Sequence, residues 1–199
     1  MTRTHESVDL VGDDATRHLA FAALIAALTA ALAQVSIPLP GLPAPISFQM
    51  FGVYVAGLLL GPLWGGLAIT LYLLVGVAGA PVFSNGGAGL AYLLGPKGGY
   101  LVGFLLAAVL IGAIVHRSVE PTAPSSVPVP VQAGALVAGL ALIYATGVPW
   151  LAYTTAYDLS SAATVGMLVF LPGDLIKIVA VLGLLGSGAL SRGEPAAGA

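Results

Sequence analysis

Two ionisable side chains three residues apart, Asp174 and Lys177, stand at the head of the apolar run FLPGDLIKIVAVLGLLG (170–186). Residues at i and i+3 share one face of a helix. A carboxylate near a helix N-terminus caps it or complements its dipole, whereas a cation in the first turn opposes that dipole. Three readings of Lys177 follow: it snorkels to lipid headgroups, pairs with Asp174, or faces a pocket and binds an anion, most simply a carboxylate. In the last case Asp174 accepts hydrogen bonds from N–H groups of the same ligand. Asn85, in FSNGGAGL, is either a turn residue before glycine or a donor and acceptor for an amide-like ligand. Gln49 caps a helix or serves a ligand. Among Tyr92, Tyr100, Trp150, Tyr153 and Tyr157, most read as interfacial belt residues, and one or two as walls of an apolar pocket. Lys97 completes the set of unusual polar positions.

Other chemistries lack their residues. There is no cysteine, so no disulfide, thiol nucleophile or thiolate metal site. His5, His18 and His116 are dispersed, which predicts no metal centre. Neither a G-x-G-x-x-G after a strand nor a G-x-x-x-x-G-K-[ST] occurs, so the chain is not expected to hydrolyse ATP. No Ser/His/Asp arrangement or H-E-x-x-H supports an enzyme. A net charge of −2 gives no basic surface for nucleic acid, and no cofactor is implied.

The elements that must position these residues are membrane helices. Of 199 residues, 58% are hydrophobic and 7% charged, against about 25% charged in soluble domains. The expectation is an all-α integral membrane protein of about six transmembrane helices in one domain, residues 18–190, between polar tails at 1–17 and 191–199. The N-terminal tail has no apolar core near Met1 and does not read as a signal peptide. The first span is 18–35. The proline-dense SIPLPGLPAPISFQ (36–49) cannot be a regular helix. Residues 50–80 are too long for one span, and Gly61-Pro62 predicts two shorter helices folded back on each other. A Gly-rich loop (81–98), a fourth span (99–115), a polar loop (116–130), a fifth span (131–148) and a sixth (165–190) follow.

With six spans, Arg3, Arg17, Arg117 and Arg192 share the side of the termini, while Lys97 and Lys177 lie at the other. The positive-inside bias then places both termini in the cytoplasm and the pocket at the extracellular side. Every unusual polar stretch converges on that one mouth. Along the first span, Ala22, Ala26 and Ala30, and in parallel Ala23, Ala27 and Ala31, make stripes of small residues. Such stripes admit another helix backbone closely, either within the chain or on a separate membrane subunit.

Taken in order, LAQVSIPLPGLPAPISFQMFGVYVAGLLLGP, GAPVFSNGGAGLAYLLGPKGGYLVGF, GVPWL and FLPGDLIK resemble the BioY family, the biotin-specific substrate-binding components of energy-coupling factor transporters. The likeness covers most of residues 18–180. It implies a six-helix protein of the cytoplasmic membrane that captures biotin at its outer face. It also implies partners: a transmembrane coupling subunit, met by one of the two alanine rows, and two cytoplasmic ATPase subunits. By this resemblance Asn85, Asp174 and Lys177 are ligand contacts, Lys177 for the biotin carboxylate and Asp174 with Asn85 for the ureido ring. Gln49, Tyr100, Lys97 and Trp150 are further candidates, and loops 36–49 and 81–98 would act as lids. One departure stands out: GPKGGY places Lys97 where the family commonly reads Pro-Thr-Gly-Gly. The alternatives are a component for another small vitamin and a ligand-free membrane scaffold.

Overall fold

The computed structural model describes residues 13–37, 40–41, 45–118, 121 and 126–187. Most of both expected tails, with Arg3, His5 and Arg192, and much of the 116–130 loop lie outside the described residues. Helix α1 runs Asp13–Gln34, starting before the apolar stretch itself. A short antiparallel hairpin follows, β1 Ser36–Ile37 against β2 Ile46–Ser47, with Ser36 opposite Ser47. Helix α2 spans Gln49–Val77, α3 Leu90–Leu94, α4 Gly98–His116 and α5 Val129–Thr154. The last segment joins α6 Leu159–Ala163, a π turn Thr164–Leu168 and α7 Leu171–Gly186.

By length and apolarity the described residues hold five candidate membrane spans, and the protein is a multi-pass membrane protein. One of the five is two segments. At Gly61 the backbone takes φ 72° and ψ −175°, a conformation that suits glycine almost alone, and Pro62 contributes no N–H to continue the helix. The chain reverses there. Gln49 Nε2 lies 2.6 Å from the Tyr72 hydroxyl, although 23 residues of straight helix would separate them by roughly 35 Å. The fold-back expected from Gly61-Pro62 is therefore present, and the bundle has six membrane segments.

The reversal sits inside the bundle rather than at its rim. A Cβ on Gly112 would lie 2.4 Å from the Gly61 carbonyl carbon and the Pro62 nitrogen, so α4 passes the reversal a turn before its own end. The Leu58 carbonyl would meet Pro62, which has no N–H, one turn on, and apolar surroundings supply no water. His116 answers this: its Nε2 is 3.2 Å from Gly57 O and 3.1 Å from Leu58 O. Facing two carbonyls, that nitrogen carries the proton and donates.

Three differences from the sequence expectations concern element ends. Helix α5 continues through Pro149 to Thr154, since a membrane helix tolerates one missing N–H when neighbours pack around it. The 81–98 loop contains a 3₁₀ turn at Ser84–Gly86 and the short α3. Leu159–Ala163 is already helical, earlier than the expected start of the sixth span. On α1, Ala22, Ile25, Thr29 and Ala33 are buried, which makes theirs the inward face. Ala26 and Ala30 are half-buried beside it, packed on the core. Ala23, Ala27 and Ala31 are exposed.

Candidate functional site

The 36–49 and 81–98 loops meet at the end of the bundle where α2, α4 and α7 begin. A cavity opens there, enclosing about 660 Å³ with the solvent at its mouth included. Its apolar walls come from Met50, Leu101, Phe104, Ile143 and Phe170.

One polar pole is the Asp174–Lys177 pair. Helix α7 begins at Leu171 with Phe170 in the capping position, so Asp174 is a first-turn acid and not the N-cap. Its carboxylate is buried at 4% exposure and Lys177 at 7%. Lys177 Nζ donates to Asp174 Oδ1 at 2.8 Å, and the Tyr144 hydroxyl of α5 donates to Oδ2. Both carboxylate oxygens are thus engaged, which is what holding a charge in low dielectric requires. Lys177 does not snorkel; its charge is neutralised in place. Tyr54, fully buried on α2, has a hydroxyl with no hydrogen-bond partner among the described residues.

A second pole lies along the loops. The Ser84 hydroxyl donates to Gln49 Oε1 at 2.8 Å, Gln49 Nε2 meets the Tyr72 hydroxyl, and Tyr72 donates to Val82 O at 3.2 Å. The Tyr92 hydroxyl donates to Ser84 O at 3.2 Å, and Lys97 Nζ donates to the Tyr92 oxygen at 3.2 Å. Burial raises the Tyr92 pKa to about 12, so its phenol stays protonated. The ring of Tyr92 stacks on Phe83, and Phe83 meets Tyr72 edge-on. This aromatic column fixes the Gly-rich loop to the end of α2.

The two poles differ in depth. Ile143 packs against Gly103, whereas Trp150 packs against Gly99, so α5 rises toward the mouth with increasing number as α4 descends. Tyr144 and its Asp174 partner therefore lie about one and a half turns of α4, roughly 8 Å, below the level of Lys97.

The candidates chosen from sequence separate into two groups. Gln49, Lys97, Tyr100, Asp174 and Lys177 line the cavity. Tyr100 also donates to Gly166 O at 2.9 Å, tying α4 to the π turn. Asn85 and Trp150 are outside the lining. Asn85 is exposed, at φ 59°, and its Oδ1 accepts from the Ser36 hydroxyl at 2.6 Å, so it joins the two outer loops. Trp150 Nε1 donates to Gly95 O at 2.9 Å and braces the turn before α4. Tyr92, one of the five aromatics read as belt or pocket-wall residues, is a pocket wall, whereas Ser84 and Tyr144 are lining residues that the sequence reading does not single out. Tyr144 had a usable signal, a phenol in mid-span whose hydroxyl must find a partner. Ser84 had none beyond adjacency to Asn85.

Most of the chain matches known proteins. Residues 2–192 fit the family model described as the BioY family. The biotin transporter BioY of Thermotoga maritima is 39% identical over 163 residues, 82% of this chain and 90% of its own length. That of Rhizobium etli is 38% identical over 173 residues, 86% of this chain and 91% of its own. A crystal structure of the S-component for biotin from an ECF-type ABC transporter superposes with a TM-score of 0.77 at 26% identity. It covers 92% of this chain and 96% of the solved one. The fold, the polar loops at one mouth and these matches lead to one conclusion: the chain belongs to the BioY family.

Proposed function

We propose that this protein captures biotin as the S-component of an ECF transporter and that the cavity between α2, α4, α5 and α7 is the binding site. The observation carrying this reading is the cavity's composition. A buried acceptor–donor pair, Asp174 with Lys177, faces an apolar chamber that ends in a second polar group at the mouth. Biotin has matching parts: a ureido ring that both donates and accepts, an apolar body and one carboxylate. The relatives named biotin transporter BioY support the same reading.

Orientation and partners follow from it. The cavity opens to the extracellular side, opposite Arg17 and Arg117 and, with them, both termini. The outer loops, joined through Ser36 and Asn85, cover the mouth, and Asn85 reaches the ligand only when that cover rearranges. The exposed row Ala23, Ala27 and Ala31 is the face offered to a transmembrane coupling subunit, since Ala22 is already buried. Two ATPase subunits on the cytoplasmic side supply the energy, and this chain itself is not catalytic.

Titration calorimetry on the purified protein in detergent tests the binding, with biotin against a panel of other small vitamins. Saturable binding of biotin that the other vitamins fail to displace is the expected result. A folded protein that prefers another vitamin overturns the substrate, and one that binds none of them favours the scaffold.

A further inference from the structure

An ammonium removed from water needs a counter-charge or a full set of acceptors. The two lysines on the cavity wall differ in this respect. Lys177 has its carboxylate 2.8 Å away, and the pair presents no net charge to a ligand. Lys97 is half-buried, and its hydrogen bond is to the neutral Tyr92 hydroxyl. Its Nζ also sits 5.0 Å from the centroid of the Tyr92 ring, a weak cation–π contact. Among the described residues, the salt bridge formed is that of Asp174 with Lys177, and no carboxylate pairs with Lys97. Burial lowers the Lys97 pKa, as expected of an ammonium that has lost hydration without gaining an anion. It also stands at the N-terminus of α4, where a cation opposes the helix dipole. Nothing within the described fold repays that placement.

We propose that Lys97 is the carboxylate anchor and specificity determinant of this site, with the neutral ureido ring held by Asp174, Lys177 and Tyr144 below it. This assignment rests on the biotin reading above. A carboxylate placed at the deep pole would meet Asp174 as well as Lys177, and the like charge would offset the attraction. A ureido ring offers N–H groups to Asp174 and a carbonyl oxygen to the protons that Lys177 does not spend on Asp174. The depth order agrees: the ligand's charged end remains at the mouth, where desolvation costs least. Tyr92, bonded in turn to Ser84, holds the Lys97 tip over the cavity.

The test compares biotin with biotinamide, its neutral counterpart, by calorimetry on the full-length protein, wild type beside Lys97→Met and Lys97→Arg. Wild type is expected to bind biotin at least about tenfold more tightly than biotinamide, the scale of one charge-assisted contact. Lys97→Met should lose that preference by weakening biotin alone, and Lys97→Arg should keep it. Equal affinities in wild type, or a preference that survives in Lys97→Met, would overturn the anchor while leaving biotin as substrate. Wild type that binds neither compound overturns the substrate reading itself, and the anchor with it.

Discussion

The two ends of the bundle face the same difficulty, polar groups far from bulk water, and resolve it in opposite ways. At the Gly61 reversal the carbonyls of Gly57 and Leu58 meet His116, a partner built into the chain, and backbone packs closely on Gly112. At the mouth the groups are partnered yet retain capacity: Lys177 has further protons, and Lys97 has no anion beside it among the described residues. Complete satisfaction produces a rigid joint. Incomplete satisfaction around a cavity produces a site for something else.

This contrast breaks most sharply at Asp174. Asp174→Ala leaves Lys177 buried without a counter-charge, a cost of about 3–5 kcal/mol, and biotin affinity should fall more than about 100-fold. Replacing both partners, Asp174→Leu with Lys177→Met, should recover most of the thermal stability and none of the binding, as measured by melting and calorimetry side by side. A double variant that still binds would remove the pair from the site. At the opposite end, Gly61→Ala forces an L-residue into a glycine conformation and should lower stability by about 1–3 kcal/mol. Affinity in the folded fraction should not change, so a matching loss of affinity would show that the two ends are coupled. Tyr144→Phe, which frees Asp174 Oδ2, should weaken biotin by about tenfold, the value of one hydrogen bond to a charged group.

The smallest effect belongs to Asp158, the exposed cap of α6. Hydrogen bonds from the Ser161 backbone, the Ser161 side chain and the Ser160 hydroxyl lower its pKa. A carboxyl whose folded pKa lies below its unfolded value, about 3.9, stabilises the fold above that value and loses the effect as pH falls through the folded one. The stability difference between wild type and Asp158→Asn should therefore be small near neutrality and vanish in acid. A difference that grows on acidification would contradict the capping role.

Much of this was legible in the sequence because membrane helices write their ends in Gly, Pro and scarce charges. The reversal at Gly61-Pro62, the pairing distance of Asp174 and Lys177, and the gathering of polar loops at one mouth all follow from local residue types. The selection of Asn85 over Ser84 shows where such reading stops. Both sit in one tight turn, where Ser84 is buried against the cavity and Asn85, at φ 59°, is exposed, a difference the adjacent residue types do not announce. Tyr144 shows in the sequence as a phenol that needs a partner, but the partner, Asp174, is 30 residues away on another helix, and no local pattern encodes which one it is. The alanine rows were undecidable for the same reason, since rotation of α1 is set by the helices it packs on.

The π turn between α6 and α7 makes residue count, as well as residue type, a functional quantity. Val169 N reaches back five residues to Thr164 O at 3.3 Å, so this turn holds one residue more than an α-helix would. That surplus sets the angular offset between the Gly166 carbonyl, held by Tyr100, and the Asp174 carboxylate, held by Tyr144. Deleting one residue there would close the turn into ordinary helix and swing everything before it by about 100° about the axis. The register of the last membrane segment thus works as a ruler. A shortened chain with every cavity residue intact would still misalign the two sides of the site.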